Sequence, residues 1–305
     1  MISSWATSGS DTPYVHERVG IEPGPDVLVT ALVHGNEYSG AIAIHELLAG
    51  GWKPARGRVT FAFCNVAAFA QFDIRAPDAS RYVDEDFNRV WSASRLASSD
   101  NTTELLRARQ LRPFLERATH LLDLHSMHEP SAPLLVTGTL QRNIDFAQGM
   151  QTSSQVIIDS GHADGVRMRD YGSFADPASQ RIALLLEAGQ HWQAASVGIS
   201  RNTLMRFLVH AGALAKADAL PGWLLPDKTL LPPVLVTDRV IAQTMDFAFI
   251  QAFTGGEVIA NAGTVIAHDA GPAVITPYDN CVLVMPSVRQ LRPGVTTVRL
   301  GRQIS

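Results

Sequence analysis

His34 and Glu37 stand three residues apart in Leu32-Val33-His34-Gly35-Asn36-Glu37, directly after an apolar run. An imidazole and a carboxylate on one short turn can share a metal ion, and zinc accepts both donor types. Such a pair also arises often by chance, so it needs partners. A catalytic zinc takes three protein ligands and keeps a fourth position open for water. The segment Thr119-His120-Leu121-Leu122-Asp123-Leu124-His125 offers the third, again at the end of an apolar run. Strand alternation would set Asp123 on the same side as His125, where a carboxylate can orient a ligand imidazole. His128 forms a further histidine pair with His125 and reads as an outer or substrate-facing residue.

Zinc hydrolysis also requires a general base that takes a proton from water and passes it to the leaving group. Glu187 suits that role, because it closes the hydrophobic segment Arg181-Ile182-Ala183-Leu184-Leu185-Leu186-Glu187. Burial of a carboxyl there raises its pKa toward working pH. The plainer reading makes it a carboxylate at the start of a following helix. Ser80 to Trp91 carries Arg81 and Arg89 among acids and aromatics. A guanidinium fork can hold a carboxylate or a developing oxyanion, whereas a solvated Arg-Asp loop would add little.

These groups need elements that hold them. Apolar runs near 26–33, 58–64, 120–125 and 181–187 predict strands, and helical patterns fall near 38–49, 103–118 and 201–216. The alternation predicts an α/β fold with a mainly parallel central sheet flanked by helices. In such a sheet ligands bind beyond the carboxyl ends of the strands, which is where His34, His125 and Glu187 would all lie. The pattern breaks at Pro221-Gly222-Trp223, and short β-rich runs punctuated by Gly255-Gly256, Ala262-Gly263 and Gly271-Pro272 follow without a convincing helix. Two units are expected, a catalytic domain over 1–220 and a smaller C-terminal β-domain over 221–305.

The ordered set His34-Gly35-Asn36-Glu37, Arg81 to Arg89, Asp123-Leu124-His125 and Glu187-Ala188-Gly189 resembles the succinylglutamate desuccinylase/aspartoacylase family, relatives of the zinc carboxypeptidases. The likeness extends to Cys281 through Pro286 and Leu291 through Gly294, which are similar to the end of deacylase-like members. By that resemblance His34, Glu37 and His125 correspond to the ligands of one zinc ion, and Glu187 to the general base and proton shuttle. Arg81 takes the place of the arginine that polarises the scissile carbonyl, and Asn88 and Arg89 match the pair that holds a substrate carboxylate. The implied reaction is hydrolysis of the amide of a small anionic N-acyl amino acid, with a C-terminal domain that narrows access to the zinc.

Aspartoacylases also use an arginine shortly before the catalytic glutamate. Arg167, Arg169 and Arg181 are the candidates, Arg169 being the expected substrate contact, and Tyr278 is the possible counterpart of a second-domain tyrosine. The chain departs from the aspartoacylases after His125, where Ser126 replaces an asparagine and Met127-His128-Glu129-Pro130 makes a different wall. The same residues would also serve a carboxypeptidase-like hydrolase of a peptide or amino-acid conjugate. A non-catalytic metal-dependent binding protein is the third reading, although binding alone has no use for Glu187. His and Glu donors suit other divalent ions besides zinc.

At 305 residues, with 46% hydrophobic content, the chain is long enough for one large or two modest globular domains. A net charge of -4 with mixed signs and no basic stripe argues against a nucleic-acid partner. Cys64 and Cys281 lie far apart without a paired-cysteine motif, which argues against a disulfide framework or a thiolate metal site and fits a reducing cytoplasm. Met1 to Thr7 lacks the pattern of a signal peptide, and no window has the apolar length of a membrane span. A soluble cytoplasmic protein is expected, with a homo-oligomer left open. His45-Glu46 opens like the zinc-protease helix motif, but Ala49 stands where its second histidine belongs. Phosphate-loop and Gly-x-Ser-x-Gly patterns are both missing.

Overall fold

Val27, Val29 and Ala31 pack into one hydrophobic cluster and Leu28 into another, because the strand that carries them has helices on both faces. The computed structural model describes residues 2–7, 11–162, 164–227 and 230–304. From the N-terminus the chain forms β1 (Val15–Val19), β2 (Glu22–Ala31), α1 (Ser39–Ala49), β3 (Arg56–Phe63), α2 (Val66–Ala70), α3 (Ala93–Leu96), α4 (Thr103–Arg117), β4 (His120–Met127), β5 (Leu134–Val136), α5 (Gln141–Gly149), β6 (Gln155–Ile158), β7 (Ile182–Gln190) and α6 (Ala194–His210). Beyond these come β8 (Val234–Ile241), β9 (Ala248–Phe249), β10 (Val258–Ile259), β11 (Val265–His268), β12 (Val274–Ile275), β13 (Cys281–Val284) and β14 (Thr296–Gln303).

Strands β3, β2, β4 and β7 run parallel and adjacent, as expected, with β1 antiparallel at their edge. Helices α1, α5 and α6 cover one face and α4 the other. Gly40 is where α1 comes closest to the sheet, since a side chain there would come within 2.5 Å of the Leu124 Cβ. Beyond β7 the sheet continues through β5, β6 and β8, and the β6–β8 pair is parallel. Strands β8, β14, β13 and β10 then pair antiparallel, and β12, β11 and β9 form a separate small sheet. As the sequence pattern predicts, no α-helix occurs among the described residues after 221.

Two features depart from the sequence pattern. The last helix covers Ala194–His210 rather than 201–216, because Gly212 takes φ 80° and a two-bond cap closes the helix, Gly212 N–H donating to Val209 and Ala213 N–H to Leu208. Strands β5 and β6, of three and four residues, are too short to leave a readable alternation. Among the described residues, no helix is long and apolar enough to cross a membrane.

Candidate active site

The ligand turn begins where β2 ends. Leu32 adopts φ 57°, uncommon for a residue with a bulky side chain, and its carbonyl accepts the Asn65 N–H at 2.7 Å. Gly35 follows His34, and its N–H donates to the Arg81 carbonyl at 3.0 Å. A Cβ at Gly35 would run into the Ser80 carbonyl oxygen and come within 2.6 Å of Ala68. Glycine here lets the loop of Arg81 lie directly against the turn of His34. The Glu37 N–H donates to the His34 carbonyl at 3.1 Å, which closes the turn with both side chains buried.

Register brings the remaining groups to the same edge. Ala31 pairs with Leu124 across β2 and β4, and His125 pairs with Glu187 across β4 and β7. His34, three residues beyond Ala31, therefore meets His125 near the carboxyl end of β4, their rings 5.2 Å apart. One donor atom from each of His34, Glu37 and His125 lies within 4.8 Å of the others. Glu37 sits between the imidazoles, Oε1 at 2.8 Å from His34 Nδ1 and Oε2 at 2.8 Å from His125 Nδ1.

The far ring nitrogens face carboxylates, His125 Nε2 at 2.8 Å from Asp123 Oδ2 and His34 Nε2 at 3.0 Å from Asp86 Oδ1. Asp123 is itself fixed by the Thr30 hydroxyl, which donates to Oδ1 at 2.6 Å. Such outer carboxylates orient ligand imidazoles around metal ions. Burial alone would push the His125 imidazole down, but Asp123 and Glu37 outweigh it and hold it well above its usual range. Burial would likewise lift Glu37, and His34 and His125 bring it well below the usual carboxylate range. Three buried or nearly buried carboxylates, Glu37, Asp86 and Asp123, thus surround the two imidazoles, and the one permanent cation among them is Arg81, whose Nη1 donates to Glu37 at 3.1 Å and Nη2 to Asp86 at 3.3 Å. With both imidazoles neutral, as metal ligation requires, the deficit of two positive charges matches one divalent ion on His34, Glu37 and His125, so the residues present fit a metal.

Glu104 shapes the loop that carries Arg81. Fully buried near the start of α4, its carboxylate accepts the backbone N–H groups of Val83, Asp84 and Glu85 and the Asn65 amide. Glu187 lies beside this cluster with its Oε2 buried and unpartnered, and burial lifts its carboxyl to about 8 although His125 and Arg81 pull the other way.

Two cavities, of about 510 and 590 Å³ of open space, share His34, Arg81, Glu187 and Met285. The first is walled by Ser126, Met127, His128, Pro130, Pro286 and Gln290. The second holds Asn88, Arg89, His162, Arg167 and Arg299. Asn88 is placed by its Oδ1, which accepts the Met168 N–H at 2.8 Å, and Arg89 Nη1 donates to the Asn88 carbonyl at 2.9 Å. His128 stands in the wall of the first cavity, its ring 4.7 Å from that of His191.

Arg169 and Tyr278 are not brought to these cavities. Arg169 is buried, its Nη2 donating to the Thr137 and Ala183 carbonyls at 2.6 and 3.1 Å, and it borders a different cavity. Arg167, two residues earlier, is the neighbour that lines the site, while Arg181 lies at the opposite end of β7 and donates to the Glu116 carbonyl. Tyr278 is bound to the Thr237 hydroxyl at 2.5 Å and lies under Arg302, 4.2 Å from guanidinium carbon to ring centre. Asp86, Glu104, His162 and Arg299 were not singled out from the sequence; Asp86 alone lay inside a motif that was.

A mostly parallel α/β sheet gathers two histidines, a glutamate and a buried acid at its carboxyl edge, where ligands of such sheets bind, and the first three could hold a metal ion. The family model described as the succinylglutamate desuccinylase/aspartoacylase catalytic domain matches residues 23–209, and the chain belongs to this family, whose members are deacylase hydrolases. Among solved structures, succinylglutamate desuccinylase from Vibrio parahaemolyticus superposes with a TM-score of 0.71 at 15% identity, covering 96% of this chain and 87% of that one. The product-bound ectoine utilization protein EutE (DoeB) from Ruegeria pomeroyi gives a TM-score of 0.67 at 19% identity, covering 97% of this chain and 92% of that one. The succinylglutamate desuccinylase from Chromobacterium violaceum gives 0.65 at 21% identity, covering 97% and 90%. A search of curated protein sequences finds no match.

Proposed function

We propose that the protein is a zinc-dependent amidohydrolase that cleaves the amide bond of a small anionic N-acyl amino acid. The observation that supports this most directly is the convergence of His34, Glu37 and His125 in a cluster short of two positive charges, next to a Glu187 carboxyl lifted to about 8. A divalent ion on those three residues would supply a Lewis acid for the amide carbonyl and lower the pKa of an adjacent water.

Within that site Glu187 takes the proton of the attacking water and returns it to the amide nitrogen as the carbon–nitrogen bond breaks. The products are a carboxylic acid and a free amine. Arg81, held in place by Glu37 and Asp86, presents its guanidinium to the oxygen that turns negative when the carbonyl is attacked. Asn88 and Arg89 hold a substrate carboxylate, and Asp123 fixes the orientation of His125. Residues 1–220 form the catalytic domain, and the unit over 221–305 adds the wall from Met285 to Gln290.

Metal analysis followed by amine-release assays on N-acetyl, N-formyl and N-succinyl amino acids tests the reading. One divalent ion per chain and release of amine from at least one of these classes is the expected result. A metal-loaded protein inactive on all of them would overturn it.

A further inference from the structure

Between Arg81 and Asp86, the two residues of their loop that touch the ligand cluster, three consecutive backbone N–H groups turn toward one side chain. Glu104 Oε1 accepts the Val83 N–H at 2.7 Å, and Oε2 accepts those of Asp84 and Glu85 at 3.0 and 3.3 Å. The Asn65 amide completes the set, donating to Oε1 at 2.8 Å. Glu104 is fully buried, yet all four donors are neutral N–H groups, with no Arg, Lys or His among them. Burying a carboxylate is costly unless such donors surround it, so the charge and the conformation of the loop depend on each other.

Asn65 carries the same contact to the ligand turn. Its backbone N–H donates to the Leu32 carbonyl, two residues before His34, and its Oδ1 accepts the Ala68 N–H at 3.3 Å to start α2, the helix against which Gly35 packs. Glu104 therefore ties the turn of His34 to the loop of Arg81. The other ties between α4 and this loop, from the Thr103 N–H to Asp84 and from the Thr102 hydroxyl to Glu85, lie nearer the surface. Asp86, just past the three N–H groups, faces His34 Nε2 at 3.0 Å. Asn88 has an anchor of its own, because its Oδ1 accepts the Met168 N–H at 2.8 Å. Loss of Glu104 should thus disturb Arg81 and Asp86 while sparing Asn88 and its neighbour Arg89.

We propose that Glu104 is a positioning residue: its carboxylate sets Asp86 against His34 and Arg81 against the reacting oxygen, so metal affinity and turnover both depend on a side chain outside the cavities. Its effect on the metal passes through Asp86, which orients a ligand imidazole. Its effect on turnover passes through Arg81 and rests on the amidohydrolase reading. Glutamine at this position would keep the size of the side chain but offer one acceptor oxygen in place of two, and its amide would meet backbone N–H groups with N–H groups of its own.

Zinc titration of chelator-stripped protein reads the first effect without turnover: Glu104→Gln should weaken zinc binding about 10- to 100-fold, the scale on which partners of metal ligands act. At saturating zinc, kcat per bound ion should fall about 10- to 100-fold, measured on whichever N-acyl amino acid the wild-type protein hydrolyses, while KM changes by less than about threefold. Double-mutant cycles separate positioning from general loosening of the fold. Added to Asp86→Asn, Glu104→Gln should weaken zinc binding by less than about threefold more, and added to Arg81→Ala it should lower kcat by less than about threefold more. Unchanged zinc affinity in Glu104→Gln, or full additivity in either cycle, overturns the proposal. Should Glu104→Gln not fold, Glu104→Asp, which keeps the charge and shortens the reach, takes its place in both cycles under the same criteria. Weakened, non-additive zinc binding combined with no amide hydrolysed by the wild-type protein would instead overturn the hydrolase reading and leave the hold of Glu104 on Asp86 standing.

Discussion

Glu187 is the residue on which the proposed chemistry turns. Buried toward the carboxyl end of β7, its carboxyl is lifted to about 8, within reach of the pH at which it must both take and give a proton. A base acts only when ionised, so kcat/KM should fall as pH drops through its operative pKa, and a nearby divalent ion would set that limb below the value lifted by burial alone. A rate that climbs steadily as the solution is acidified would contradict this. Glu187→Ala should keep metal content and substrate affinity while kcat falls by ~10²–10⁴-fold, the usual worth of a positioned base. Near-normal turnover would take Glu187 out of the mechanism. His34→Ala should lose the metal, and full occupancy in that variant would refute the ligand assignment.

At the level of elements, the ligand turn depends on backbone contact rather than on side chains alone. Gly35 lies against Ser80 and Ala68 so closely that any Cβ must displace backbone. Gly35→Ala should cost ~1–3 kcal/mol of stability and weaken metal binding, read by thermal unfolding and by metal titration. An unchanged midpoint with full affinity would show that the loop of Arg81 can move aside freely. The metal-capable residues were legible in the sequence because buried parallel strands announce themselves as apolar runs, and His34, His125 and Glu187 fall at or just beyond their ends. The substrate side was less so. Arg167 and Arg169 differ by two positions in a short irregular turn, where no periodicity tells which side chain meets the cavity and which is spent on the Thr137 and Ala183 carbonyls. Glu104 gave no signal either, since a carboxylate near the start of a helix is ordinary.

Across the whole molecule, one continuous sheet links the catalytic edge to the C-terminal segment through the β6–β8 pair. That continuity carries Arg299 on β14 to the cavity of Arg89, a juxtaposition of residues far apart in sequence that no local pattern encodes. The same segment supplies Met285, Pro286 and Gln290 to the other cavity, so both sides of the site are completed by the tail of the chain. The central claim is that hydrolysis requires a divalent ion on His34, Glu37 and His125. Its most direct test is amine release, from whichever N-acyl amino acid the metal-loaded protein hydrolyses, by chelator-stripped protein titrated with zinc. Activity should vanish on stripping and return in proportion to zinc, reaching its plateau at one ion per chain; full activity in protein verified to be metal-free would contradict the account.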